Sequence, residues 1–110
     1  WEHCMIEHAT VAELKAAMDA GTATVIDVRE FFEYQAGHVP GAVHIPMHTI
    51  PVRLDEIPTT GEVYLICESG NRSWQVAAFL QQRGVRTVNV QGGTGNWRMA
   101  GFPVQTAVTA

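Results

Sequence analysis

The 110-residue chain carries 11 Asp and Glu against 7 Lys and Arg, a formal net charge of -4, with 46% hydrophobic residues and Cys4 and Cys67 as its cysteines. That length suits one domain around one hydrophobic core, and an acidic balance without any block of like charge argues against nucleic acid as a partner. The longest apolar runs are strand-length, so no membrane partner is expected, and no signal-peptide pattern is visible. Cytoplasmic localisation is the default expectation. The chain begins at Trp1 and not Met, which is compatible with an upstream segment that carries a targeting signal or a further domain. Two cysteines, one of them near a terminus, do not make a disulfide framework, and Cys4 is read as incidental.

In chain order, His3 to Glu7 is expected as a short first strand around Met5 and Ile6. Thr10 then opens Thr-Val-Ala-Glu, in which Glu13 completes a capping box, and a helix follows to about Ala20. Val11, Leu14, Ala17 and Met18 share one face of it, and Gly21 is placed to end it. Thr22 to Val28 is a strand whose core is nearly continuous in apolar residues, as befits a strand covered on both faces of a parallel sheet. Arg29 to Gln35 is long enough for a short helix, and Gly37-His38-Val39-Pro40-Gly41 turns the chain into a brief strand at Ala42 to Pro46. His48 to Ile57 reads as a short helix that starts near Pro51.

Val63 to Cys67 is an apolar strand that stops at a cysteine and passes at once into a helix from about Arg72 to Arg83. Gly84 closes that helix, Val85 to Val90 is a further strand, and Gly92-Gly93-Thr94-Gly95 reads as a turn. Asn96 to Ala100 is a last short helix, Gly101 to Val104 packs the end, and residues beyond Gln105 form a tail. Strands and helices alternate, which sets the fold class as three-layer α/β, with a mainly parallel central sheet and helices on both faces.

The chemistry is concentrated at Cys67. A cysteine at the end of an apolar strand is often a plain buried thiol. Here it is followed by Glu68, Ser69, Gly70 and Asn71, small or polar residues among which Gly70 and Asn71 tolerate left-handed backbone, and then by a helix N-terminus. Such a loop can aim amide N–H groups and the positive end of a helix dipole at the sulfur, which favours the reactive thiolate. Arg72 can donate to an anion held on the sulfur or can be a surface side chain of the first turn, and spacing leaves both open. Asn71 and Ser73 are natural caps for the helix. Trp74, Trp97 and Phe102 are candidates for the pocket mouth, with core packing the favoured role.

His38 could be drawn as a base for Cys67, but its place in a glycine-rich turn favours a structural role. His3, His8, His44 and His48 show no ligand spacing, so neither a metal nor a cofactor is expected. Asp27, Arg29 and Glu33 are read as a structural ion-pair network.

Taken together, the chain resembles a single-domain rhodanese, a sulfurtransferase, over about Thr10 to Val104. The resemblance is carried by Val25-Ile26-Asp27-Val28-Arg29 with Glu33-Tyr34 and Gly37 to Ala42, by the loop Cys67 to Ser73, and by Gly92-Gly93, Trp97 and Gly101-Phe102-Pro103-Val104. It implies transfer of a sulfane sulfur from a donor such as thiosulfate or a persulfide to Cys67, and from the resulting persulfide to cyanide or a thiol. In this scheme Cys67 is the catalytic residue, and Glu68, Ser69, Gly70, Asn71, Arg72 and Ser73 form the substrate-binding loop. The partners are then small sulfur compounds, a persulfidated protein or a thiol acceptor, with the oligomeric state open. Glu68 is the departure: facing the pocket, its carboxylate would raise the thiol pKa and repel a dianionic donor. The alternatives are a non-catalytic rhodanese-like interaction module and, less favoured, a phosphatase or arsenate reductase. The latter resemble Cys-x5-Arg, one residue longer than the spacing from Cys67 to Arg72.

Overall fold

The computed structural model describes residues 5–106, so Cys4, most of the tail and part of the expected first strand lie outside the described residues. Five parallel strands form one sheet in the order β1-β5-β4-β2-β3. They are β1 (Glu7–Ala9), β2 (Ala23–Asp27), β3 (Val43–His44), β4 (Glu62–Ile66) and β5 (Val88–Val90). The helices are α1 (Val11–Asp19), α2 (Phe31–Ala36), α3 (Asn71–Gln81) and α4 (Gly93–Met99), with 3-10 segments at Met47–Val52 and Leu54–Glu56. This is the expected three-layer α/β class. Among the described residues no helix is long and apolar enough to cross a membrane.

Side chains alternate along a strand, so each face of β4 feeds its own core. Val63, Leu65 and Cys67 pack with Ile26, Val28, Ile50, Val76 and Leu80, beneath α3 and the 3-10 segments. Tyr64 and Ile66 pack on the other side with Val25, Leu14, Val90 and Trp97, beneath α1 and α4. Parallel pairing of Asp27 with Ile66 brings the C-terminal ends of β2 and β4 level, and Cys67 follows directly on β4. Such an edge is where open α/β sheets offer a crevice.

Local signals explain α1. Thr10 Oγ1 accepts from the Glu13 N–H at 3.1 Å while Glu13 Oε1 accepts from the Thr10 N–H at 2.8 Å, completing the capping box, and Leu14 is fully buried.

Elsewhere the bounds move. The first strand is Glu7–Ala9, later than expected, because β1 is an edge strand whose register places Glu7 opposite Val88 and buries only Ala9. Met5 and Ile6 therefore precede it. β5 begins at Val88 and not Val85. The stretch from His48 to Ile57 does not form a helix starting at Pro51. Pro51 lies inside a 3-10 segment, where its missing N–H is tolerated while Thr49 and Arg53 bond to Pro46 and Ile50. The Gly92 to Gly95 run is the cap and first turn of α4, entered from Gly92 in left-handed conformation.

Candidate active site

Cys67 is buried, with 1% of its surface exposed, and sits between the end of β4 and the start of α3. Gly70 at φ 103° is the N-cap of α3, a backbone state that favours glycine. That conformation turns the Gly70 N–H onto Cys67 Sγ at 3.0 Å. The Ser73 hydroxyl lies 3.3 Å from the same sulfur. Burial pushes the thiol pKa up, but hydrogen bonds from the Ser73 hydroxyl and the Ser73, Gly70 and Ser69 amides outweigh it, and the thiol is held below its ordinary value.

Neither Asn71 nor Ser73 caps α3, contrary to expectation. No side chain caps that helix, because the chain enters it through Gly70, and Ser73 is turned inward and fully buried against the sulfur. Asn71 is exposed on the first turn of the helix. Ser69, Gly70, Asn71 and Trp74 line an open recess together with His8, Asn89, Gln91 and Gly92. Trp74, 46% exposed, thus stands beside the loop, whereas Trp97 is wholly buried and stacks edge-on with Phe102 in the core.

The loop is anchored from behind by α4. Thr94 donates to the Cys67 carbonyl through its N–H at 2.8 Å and its hydroxyl at 3.1 Å, and the Gly95 N–H reaches the Glu68 carbonyl at 3.0 Å. A Cβ on Gly93 would strike the Cys67 carbonyl oxygen and come within 2.8 Å of the Glu68 carbonyl carbon. Sequence reading missed this role, although the clustered glycines before Trp97 were its signal.

Charge around the loop falls into two groups. Asp27 and Arg29 are buried, and Arg29 bonds both Asp27 carboxylate oxygens, the Gly37 carbonyl at 2.8 Å and, through Nη1, Glu68 Oε1 at 3.1 Å. Arg98 holds the other Glu68 oxygen at 2.8 Å. Glu68 is therefore clamped between two arginines and does not stand as a bare charge over Cys67. In the second group, Arg72 donates from both terminal nitrogens to Glu33, each at 2.8 Å. This pair holds the Glu33 carboxyl down to about 2 and raises the Arg72 guanidinium. Cys67 lies within the electrostatic reach of Arg72. The expected ion-pair network thus exists for Asp27 and Arg29, but Glu33 belongs to the loop arginine.

His38 is buried and stacked on Tyr34, 3.7 Å between ring centroids, with Nδ1 2.7 Å from the Tyr34 carbonyl oxygen. Its partners are those of a packed side chain, as expected.

The chain thus combines a parallel α/β sheet with an amide-cradled cysteine at the head of a helix. The rhodanese-like domain model matches residues 10–100, and the chain belongs to that family. It is similar to a sulfurtransferase of Allochromatium vinosum, 39% identical over 87 residues that span 78% of this chain and 81% of that protein. It is also similar to thiosulfate sulfurtransferase GlpE of Pseudomonas entomophila, 32% identical over 96 residues, or 86% and 87% of the two chains. Among solved structures, a rhodanese-related protein of Thermoplasma volcanium superposes with a TM-score of 0.84 at 31% identity, covering 90% of this chain and 97% of that one.

Proposed function

We propose that the chain is a sulfurtransferase in which Cys67 is the sulfur carrier. The Cys67 thiolate attacks the outer sulfur of a donor such as thiosulfate; a sulfur–sulfur bond forms at Sγ, the donor's own sulfur–sulfur bond breaks, and sulfite leaves with the electron pair. A thiophilic acceptor, cyanide or a thiol, then attacks the terminal sulfur, and Cys67 leaves as thiolate. The observation that carries this reading is the cradle of Cys67, with the Gly70 N–H at 3.0 Å and the Ser73 hydroxyl at 3.3 Å at the N-terminus of α3. Donors aimed at sulfur stabilise negative charge there without a general base, and the α3 dipole adds to them.

The loop from Glu68 to Ser73 is the substrate-binding segment in this reading. Its amides hold the terminal sulfur, and Arg72 supplies positive charge to an anionic donor. Clamping by Arg29 and Arg98 offsets the Glu68 charge, which supports a dianionic donor such as thiosulfate. The naming of one relative as a thiosulfate sulfurtransferase points the same way. A panel of thiosulfate and low-molecular-weight persulfides with cyanide as acceptor, read as thiocyanate formed, tests the proposal. Turnover with at least one donor, abolished in Cys67→Ser, is expected. Turnover that persists in Cys67→Ser contradicts it.

A further inference from the structure

The Ser73 hydroxyl stands between two acceptors. Its Oγ is 3.3 Å from Cys67 Sγ and 2.5 Å from Asn89 Oδ1. A serine hydroxyl has one hydrogen, so it cannot serve both at once. The orientation of the Asn89 amide is fixed, because its Nδ2 donates to the Gly70 carbonyl at 3.3 Å and a flipped amide would set two oxygens face to face. Asn89 is buried on β5, with His8 Nδ1 from β1 3.2 Å from its Nδ2.

We propose that Asn89 is a positioning residue that shares the single hydroxyl hydrogen of Ser73 with the Cys67 sulfur. While Cys67 is a neutral thiol, its S–H points at Ser73 Oγ and the Ser73 O–H points at Asn89 Oδ1. When the thiol ionises, its proton goes to solvent, the Ser73 O–H swings to the bare thiolate, and Asn89 loses its donor. The hydroxyl hydrogen stays bonded to Ser73 throughout, and no other bond changes. Where Sγ carries a further sulfur, the negative charge lies on the outer atom among the loop amides, and the hydroxyl returns to Asn89. This last step rests on the sulfur-carrier reading; the thiol and thiolate steps do not.

Asn89 thus opposes ionisation of Cys67, whereas the amides of Ser69, Gly70 and Ser73 favour it. Among the described residues, the charged and titratable groups around the sulfur are Arg72 of α3, paired with Glu33 of α2, and Glu68 beyond Cys67, paired with Arg29 and with Arg98 of α4. His8 of β1 reaches the sulfur only through Asn89 and Ser73.

The test is an NMR pH titration of the Cys67 Cβ shift on donor-free protein, with the resonance assigned by its loss in Cys67→Ser. Asn89→Leu removes the competing acceptor and lowers the Cys67 midpoint by about one pH unit, the size of one modest hydrogen bond. In a Ser73→Ala background the same change leaves the midpoint where it was. Asn89→Asp, close in size and a stronger acceptor, raises the midpoint, and that rise shrinks in Ser73→Ala; this variant decides the matter if Asn89→Leu does not fold. A purely structural role for Asn89 gives shifts of one sign in both variants, or shifts independent of Ser73, and either result overturns the proposal. Because no donor is present, the result stands apart from whether the protein transfers sulfur.

Discussion

Glu33→Gln separates the structural from the electrostatic role of Arg72. Glutamine keeps an oxygen for the Glu30 N–H, which Glu33 Oε1 now accepts at 3.0 Å, so the start of α2 is preserved. What is lost is the charge of a bidentate pair whose side chains are 21% (Glu33) and 35% (Arg72) exposed. A carboxyl held to about 2 would represent roughly 3 kcal/mol if fully protected, and partial exposure with solvent screening reduces this to about 1–2 kcal/mol. The folded-state pKa is depressed, so this stability is present above the unfolded value of 4.5 and is lost as pH falls toward 2. Denaturant unfolding should show the variant less stable at pH 7 and the two proteins converging across that acid window. Kinetically, removing a negative charge beside Arg72 favours a dianionic donor by roughly 1 kcal/mol at low salt. The KM for thiosulfate should therefore fall about five-fold at low ionic strength, with kcat little changed and the gain fading at high salt. Arg72→Ala should do the reverse. An unchanged or higher KM in Glu33→Gln at low salt would refute the assignment of Arg72 to the donor.

Two further substitutions probe the frame of the loop. Glu68→Gln leaves Arg98 without its anionic partner and Arg29 with Asp27 alone, and should cost about 1 kcal/mol of stability, while the thiosulfate KM changes less than two-fold; a large fall in KM would mean that Glu68 faces the donor. Gly93→Ala drives a methyl into the Cys67 and Glu68 backbone and should lower stability by about 2–3 kcal/mol, with loss of activity even below the melting transition. Native activity and melting temperature in that variant would show that α4 does not fix the loop.

The parts of the fold legible in the sequence are those set by short-range physics. Thr10 and Glu13 form a reciprocal cap within one turn, and the nearly unbroken apolar runs of β2 and β4 announce strands buried on both faces. β1 gives no such signal, since Glu7 and His8 are exposed and only Ala9 is buried. Cys67 and the turn at Gly70 were readable because the cradle is built from consecutive residues. The partners of Arg72 and Glu68 were not, because Glu33 lies 39 positions from Arg72, and Arg29 and Arg98 lie 39 and 30 positions from Glu68. The register of β2 against β4 brings Arg29 and Glu33 to the loop, the docking of α4 behind it brings Arg98, and spacing along the chain encodes neither. Ser73 was misread for a related reason. A serine in a first helical turn suits a cap, and only the fold shows that it faces the strand it follows, with Asn89 of β5 behind it.

Whether sulfur is carried on Cys67 is decided by the mass of the intact protein. After incubation with excess thiosulfate or glutathione persulfide and removal of the donor, the protein should gain the mass of one sulfur atom, located by peptide mapping on Cys67, reversed by cyanide and absent in Cys67→Ser. An unchanged mass with every donor tried, or a sulfur atom found elsewhere on the chain with Cys67 unmodified, would contradict it.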